Sequence, residues 1–334
     1  MTTNGLDILA LGNAIVDVLA QTDERFLVEH GLAKGSMQLI DEARAEALYG
    51  AMGPAIVVSG GSAANTAVGA AGLGAKVGFV GKVRDDELGH LFTHDLNAVG
   101  VRFDTAPATE GPATARSFIL VTPDGERTMN TYLGACQTLG PADLDETAIR
   151  SARIVYLEGY LWDPADAKEA FRKAVGIAHG AGNKVALTLS DAFCVDRYSD
   201  EFKALLRDGS VDLLFANIHE LKSLYETADD QDAIRALGEE GVLGVVTRSA
   251  EGALVISREG VEAVPASPVE RVVDTTGAGD LFAAGFLAGI SHGLSSRDCA
   301  RLGGIAAAEV ISHIGARPQT DLKRLAEGEG LLSS

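Results

Sequence analysis

Positive charge is what this sequence is short of. Against 47 Asp and Glu stand 28 Lys and Arg, a formal net charge of −19, so the surface as a whole repels phosphate backbones and anionic bilayers. Neither nucleic acid nor a membrane is expected as a partner. A polyanionic substrate has to be held locally, by backbone dipoles, a few Arg or Lys, or a metal ion. Cysteine is scarce too. Cys136, Cys194 and Cys299 are odd in number, far apart and without a C-x-x-C pair, which supports neither a disulfide framework nor a zinc site and fits a reducing, cytoplasmic setting. The opening stretch MTTNGLDILALGNAIVDVLA has no basic leader, and Asn13 and Asp17 interrupt its apolar run, so neither a signal peptide nor a membrane span is expected there. No G-x-x-x-x-G-K-S/T is present and no G-x-G-x-x-G follows the first strand, which sets aside P-loop and dinucleotide enzymes. His90 and His94 lie four apart but lack a third ligand, so they read as solvent-facing helix residues. There is no internal repeat and no Pro/Ser-rich linker.

What is present argues for a large α/β fold. At 334 residues, with 46% hydrophobic and 22% charged, the chain is long enough to bury a sizeable core. Its 39 glycines fall between apolar runs without a period, so they read as tight turns and not as collagen. Short β-rich runs alternate with Ala-rich helical patterns, the order of parallel strands joined by crossover helices. Strands are expected at residues 8–11, 55–58, 76–80, 154–157, 185–189, 213–216 and 244–247, mostly apolar throughout, as strands covered on both faces are. Helices are expected at 63–72, 86–99, 164–180, 200–208, 219–225, 280–289 and 296–313. One stretch breaks the rhythm: TARSFILVTPDGERTMNTYL, residues 114–133, reads as two strands around a Pro-Asp-Gly turn. Residues 14–39 are also poorly helical, and the two segments suggest a small β-sheet lid over one end of the main sheet. Residues 1–334 are thus expected to form one α/β domain, a mostly parallel sheet flanked by helices, with that lid.

The chemistry concentrates in DTTGAGD, Asp274 to Asp280, which runs straight into the apolar helical stretch LFAAGFLAGI. Gly277, Ala278 and Gly279 put backbone N–H groups at a helix start with almost no side chain in the way, where free donors and the helix dipole suit a phosphoryl group. Asp280 is there either a helix cap or a general base. A second glycine-rich stretch, GGSAANTAVGAAGLGAKVGFVGKVRDDELG from Gly60 to Gly89, either permits close helix–strand packing or lets a ligand approach the backbone. In FANIHEL, Asn217 and Glu220 lie three apart at a helix start and can face one side, a spacing that also describes a capping box.

These two stretches, in this order, resemble the two signatures of the ribokinase-like (PfkB) family of sugar and nucleoside kinases, and the resemblance spans nearly the whole chain. It implies a ribokinase-like fold, Mg²⁺, ATP as co-substrate, an anion hole at Gly277, Ala278 and Gly279 with Thr275 beside it, and Asp280 as catalytic base. Within the family, GNAIVD (Gly12 to Asp17), YLEGY (Tyr156 to Tyr160), LTLSDAF (Leu187 to Phe193), VDLLFANIHEL (Val211 to Leu221) and the terminal GARP (Gly315 to Pro318) are most similar to adenosine kinases. That similarity implies phosphorylation of a nucleoside 5′-hydroxyl, adenosine to AMP. On this reading Asp17 accepts hydrogen bonds from two ribose hydroxyls, with Asn13, Gly60, Gly61, Ser62 and Asn65 around the sugar. Taken alone, Asp17 is a strand-end turn residue. Tyr160 and Phe193 offer faces to a base. Thr247, Ser249 and Gly252 fall in the stretch that contacts the nucleotide, and Asn217 with Glu220 places Mg²⁺. Arg127 is either a lid arginine that reaches the transferred phosphate or a solvated hairpin residue. A ribokinase- or fructokinase-like sugar kinase and a nucleoside-binding protein without turnover stay open as alternatives. A K⁺ requirement and the oligomeric state are not legible in the sequence.

Overall fold

Short apolar runs pair edge to edge into two sheets. The computed structural model describes residues 5–333. Its first half runs β1 (Ile8–Leu11), β2 (Ile15–Gln21), α1 (Glu24–Glu29), β3 (Met37–Leu39), α2 (Glu42–Ala51), β4 (Ile56–Gly60), α3 (Ser62–Gly72), β5 (Val77–Val80), α4 (Glu87–Ala98), β6 (Arg102–Phe103), β7 (Ala115–Val121), β8 (Arg127–Tyr132), α5 (Glu146–Ser151) and β9 (Ile154–Glu158). The rest runs α6 (Ala165–Gly180), β10 (Lys184–Thr188), α7 (Ala192–Arg207), β11 (Leu213–Asn217), α8 (Ile218–Leu224), α9 (Asp230–Glu240), β12 (Leu243–Thr247), β13 (Ala253–Ser257), β14 (Gly260–Val264), α10 (Ala278–Ser291), α11 (Ser296–Val310) and α12 (Leu322–Gly328). Among the described residues no helix is long and apolar enough to cross a membrane.

The main sheet has nine strands in the order β14-β13-β12-β11-β10-β9-β1-β5-β6, parallel from β12 to β6 with an antiparallel edge. Successive side chains on a strand point to opposite faces. Ile8, Ala10, Ile154, Tyr156, Leu213 and Phe215 accordingly enter one core with α3, α4, α10 and α11. Leu9, Leu11, Val155, Leu157, Leu214 and Ala216 enter a second core with α6, α7, α8 and α9. Both faces are covered, which is why these strands are continuously apolar. Burying one Leu or Phe side chain is worth about 1.5–3 kcal/mol. Leu281, Phe282, Phe286 and Leu287 of α10 are all buried, so packing along its length fixes where that helix begins.

The small sheet has five strands, β3-β8-β7-β2-β4. The expected hairpin is there as β7 and β8. The helices α1 and α2 cover one face, where Leu27, Ala45 and Leu48 pack on Val18, Ala20, Phe118 and Leu120. The opposite face carries Ile15, Asp17 and Leu19 of β2 and is turned toward the carboxyl ends of the main strands. The chain passes from β1 through Asn13 and Ala14 directly into β2, which places the small sheet at that end.

The α/β architecture agrees with the sequence reading, and four details depart from it. Residues 55–58, expected in the main sheet, belong to β4, which pairs antiparallel with β2 in the small one. A strand followed by a helix looks like a βα unit, and only the long-range pairing Asp17↔Val58 distinguishes the two sheets. Residues 14–39 include α1, started by Asp23 accepting from the Phe26 N–H at 2.8 Å, and the small sheet extends past the expected lid boundary to Gly60. The helix expected at 200–208 begins at Ala192, with a non-helical Tyr198 inside it; Asp191 caps it by accepting from the Cys194 N–H at 2.6 Å. The hairpin β13–β14 closes the sheet edge where no strand was expected.

Candidate active site

The N-terminus of α10 is shaped by Gly277. This residue has φ 77°, a left-handed conformation, and a β-carbon on it would meet the Ala316 side chain at 2.7 Å. Ala278, expected as an anion donor, instead returns its N–H to the Thr275 carbonyl at 3.2 Å, because the turn closes there. The N–H groups of Gly279 and Asp280 have no acceptor among the described residues. Asp280 does not cap the helix. Its two oxygens accept from Ser62 Oγ at 2.6 Å and Asn65 Nδ2 at 3.0 Å. Burial pushes its carboxyl up, while those two hydrogen bonds and the Arg317 guanidinium oppose the shift.

Across the cleft, Asp17 sits in the middle of β2 with its carboxyl against the Cα of Gly60, and any side chain at Gly60 would collide with it. Among the described residues no hydrogen-bond donor reaches that carboxyl. Burial raises it to about 7, opposed by Arg317 and Arg127 and helped by Asp280. Gly61 presses equally closely on the Asn13 carbonyl. Ser62 and the Asn65 amide nitrogen, expected around the sugar, thus donate to Asp280, while Asn65 Oδ1 has no partner among the described residues. Asn13, expected there too, donates its side-chain amide to Glu158 Oε1 at 2.8 Å. The other Glu158 oxygen takes the Ala63 N–H at 2.9 Å. Glu158 stitches the turn after β1 to the start of α3, and burial raises its carboxyl to about 7.

Arg127 is not a solvated hairpin residue. It forms an ion pair with Asp274, both side chains nearly buried, and its Nε and Nη2 have no partner among the described residues. Asp274 also accepts from the N–H groups of Gly315 at 2.8 Å and Thr276 at 3.0 Å, so one carboxylate joins the small sheet, the α10 loop and the GARP turn.

The carboxyl ends of the main strands supply the rest, the usual place for ligands in open parallel sheets. Thr247 stands in register with Asn217 at the ends of β12 and β11. Beyond it Ser249 (φ 51°) and Gly252 (φ 84°) form a tight turn, exposed at Ser249 and buried at Gly252 against the Val264 carbonyl. Asn217 and Glu220 form a capping box: Asn217 Oδ1 accepts from the Glu220 N–H at 2.9 Å and Glu220 Oε2 from the Asn217 N–H at 2.9 Å. Burial pushes the Glu220 carboxyl up to about 7, with Asp191 and Asp280 adding to the rise. Tyr160 meets the same negative surroundings: burial raises its phenol, and Asp191, Asp280, Glu220 and Glu158 raise it further. Phe193 is 64% exposed with the Arg197 guanidinium 4.5 Å from its ring centre, so it offers no buried face to a base.

A hard divalent cation fits this corner by its chemistry: the donors are oxygens, and the carboxylates of Asp191 and Asp280 both repel that of Glu220. Among the described residues no cluster of three His, Cys, Asp or Glu can hold a metal alone, so a cation there would lean on ligand oxygens.

Sequence reasoning missed Glu158, Asp274 and Arg317. The signals were the Glu inside YLEGY, the first Asp of DTTGAGD and the Arg inside GARP, each read only as part of a segment. A groove of about 640 Å³ lies at the opposite end, where β10 to β12 begin, bordered by the ion pair Lys184–Asp212 and remote from these residues.

Residues 56–322 match the model of the pfkB family of carbohydrate kinases. The chain belongs to the pfkB family. Its structure resembles that described as adenosine kinase from Sinorhizobium meliloti, with TM-score 0.92 and 52% identity over 97% of this chain and 99% of that one. A probable sugar kinase from Rhizobium etli is similar as well, with TM-score 0.92 and 49% identity over 98% of this chain and 99% of that one. An ATP-dependent ribose-1-phosphate kinase from Halopiger xanaduensis is 34% identical over 69% of this chain and 72% of its own length. As a pfkB kinase, the protein uses ATP to phosphorylate a small sugar or nucleoside.

Proposed function

We propose that this pfkB kinase transfers the γ-phosphoryl group of ATP to the 5′-hydroxyl of a nucleoside, adenosine foremost. The observation that carries the reading is a pair of carboxylates on opposite walls of one cleft. Asp280 is gripped on both oxygens at the start of α10, and Asp17 is held free of donors on β2 with the Gly60 backbone behind it. A carboxylate with unspent oxygens suits two vicinal ribose hydroxyls. A carboxylate oriented by two donors suits proton acceptance from the attacking hydroxyl.

Phosphoryl transfer asks the protein mainly for positioning and charge stabilisation. Asp17 holds the ribose, Asp280 takes the 5′-hydroxyl proton, and the free N–H groups of Gly279 and Asp280 steady charge on the transferred group. Mg²⁺, held beside Asn217 and Glu220, neutralises phosphate charge when bound. Thr247, Ser249 and Gly252 border the nucleotide. The small sheet serves as a lid that keeps water out. Preference for a nucleoside over a bare sugar is supported by the apolar neighbours that share the Asp17 face: Ile15 and Leu19 on β2, Ile119 opposite Leu19, and Met129 opposite Ile119. The description of the Sinorhizobium meliloti neighbour supports the same substrate.

A phosphorylated pentose is the second reading. The Halopiger xanaduensis relative is described as a ribose-1-phosphate kinase, and Arg127 keeps two buried guanidinium nitrogens without partners that would suit an anionic substituent. ADP release with adenosine, inosine, guanosine, ribose, fructose and ribose 1-phosphate under identical Mg-ATP tests both. Adenosine is expected to exceed ribose by at least about 10²-fold in kcat/KM, since a base adds apolar and stacking contacts worth several kcal/mol. Faster turnover of ribose 1-phosphate would move the assignment to the second reading, and equal turnover of ribose or fructose would make it a sugar kinase. No ADP release at all would leave a binding protein.

A further inference from the structure

Beneath the glycine pair lies a half-buried arginine that the proposed chemistry has not used. Arg317 donates to the Ser59 carbonyl from Nε at 3.1 Å and from Nη2 at 2.9 Å, to Ser59 Oγ from Nη2 at 3.2 Å, and to the Ala64 carbonyl from Nη1 at 2.9 Å. Those acceptors bracket Gly60 to Ala63. The fork therefore straddles the junction at which the last strand of the small sheet becomes α3. On one side of that junction Gly60 backs the Asp17 carboxyl; on the other Ser62 and Asn65 grip Asp280. Among the described residues Arg317 makes no ion pair, so its charge is not cancelled by a direct partner.

We infer that Arg317 is a positioning residue that serves both carboxylates at once: its planar fork fixes the Ser59–Ala64 turn, and its positive charge, without a direct partner among the described residues, favours the ionised forms of Asp17 and Asp280. This rests on the reading of Asp280 as the base and Asp17 as the ribose ligand. The charged groups around it are Asp17 from β2, Asp280 from α10 and Asp95 from α4, the last accepting from the Ser59 N–H at 3.0 Å. Asp17 also faces Arg127, while Asp280 faces Glu158, Glu220, Tyr156 and Tyr160. Most of those neighbours are acidic, and Arg317 is the cation common to the two carboxylates. Burial brings its own pKa down to about 10, and the three aspartates oppose that fall, so it stays protonated throughout the working range. A lysine at this position would keep the charge but not the fork.

The test is the pH dependence of kcat/KM and of adenosine affinity for wild type, Arg317→Lys and Arg317→Gln, with Asp280→Asn alongside. An opposite charge nearby lowers a carboxyl pKa by about 1–3 units when close, so removing it moves the acid limb upward. For Arg317→Gln the acid limbs of both kcat/KM and adenosine affinity are expected to rise by about one pH unit, on top of an about tenfold fall in kcat from loss of the fork that persists at pH 9. For Arg317→Lys the limbs are expected to stay in place while kcat falls about tenfold, because the turn is held less firmly. Limbs that stay in place in Arg317→Gln would reduce Arg317 to a structural staple and overturn the inference. Should that variant not fold, a limb that rises in Arg317→Lys overturns it as well. Full activity in Asp280→Asn would sink the base assignment itself, separately from Arg317.

Discussion

The two walls of the cleft are built to different standards. The main-sheet wall is made of strands buried on both faces, and its carboxylate, Asp280, is held by Ser62 and Asn65. On the other wall β2 alternates buried with half-buried residues, and its carboxylate, Asp17, has no donor among the described residues. What ties that wall down near the site is ionic and polar: Arg127 with Asp274, and Arg317 on Ser59. On the proposed function the difference separates two tasks. A proton acceptor has to be in place before substrate arrives, since misplacement costs rate, whereas a substrate ligand can be completed by the substrate.

Breaking the rigid wall should cost most. Asp280→Asn is expected to keep the fold and ATP binding while lowering kcat by about 10² to 10⁴, in the range for loss of a general base. Steady-state ADP release decides it, and retention of more than about a tenth of the wild-type rate would remove Asp280 from the mechanism. Loosening the grip is the next step down. In Asn65→Ala one of two hydrogen bonds to the ionised carboxylate is lost; such bonds favour the charged form, so the Asp280 pKa rises and the acid limb of kcat moves to higher pH. The expected loss at pH 7 is about tenfold, shrinking as pH rises.

On the small-sheet wall the effects should fall on binding. Asp17→Ala is expected to lower kcat/KM for the nucleoside by at least about tenfold with KM for ATP unchanged, since hydrogen bonds to a charged group are worth about 1.5–3 kcal/mol each. With its carboxyl raised to about 7, Asp17 is partly protonated in mild acid, so adenosine affinity in wild type should fall as pH drops below neutrality. The smallest effect is on stability. Glu158 and Glu220 are each raised to about 7, so between about pH 4.5 and 7 the folded state holds protons that the unfolded chain has released. Their contribution to stability is therefore largest below that window and is lost as pH rises through it. Glu158→Gln removes its share of this loss, and thermal melts at pH 5 and 7.5 should show a smaller drop in Tm than wild type.

The same division governs what the sequence disclosed. Strands such as Ile8–Leu11 and Leu213–Asn217 announce themselves because both faces are apolar, and DTTGAGD announces a helix start because its glycines permit the tight left-handed turn that Gly277 takes before α10. The small sheet was legible at its hairpin and, as the poorly helical stretch 14–39, at β2 and β3, but not at β4. β4 reads like any strand before a helix, and its membership depends on pairing with β2, a contact that local pattern does not encode. The site residues Glu158 and Arg317 were hidden for a related reason. A buried charge is recognisable from its partners, and theirs are Asn13 and Ala63 in one case and Ser59 and Ala64 in the other. Ser62 and Asn65 were expected around the sugar from the resemblance, whereas hydrogen-bond geometry gives them to Asp280.

The division of labour between the walls is tested most directly by calorimetric titration of adenosine into Asp17→Ala and Asp280→Asn at pH 8, where wild-type Asp17 is ionised. The account predicts that Asp280→Asn binds adenosine within about threefold of wild type although it scarcely turns over, while Asp17→Ala binds at least about tenfold more weakly. Equal weakening in the two variants, or stronger weakening in Asp280→Asn, would contradict it.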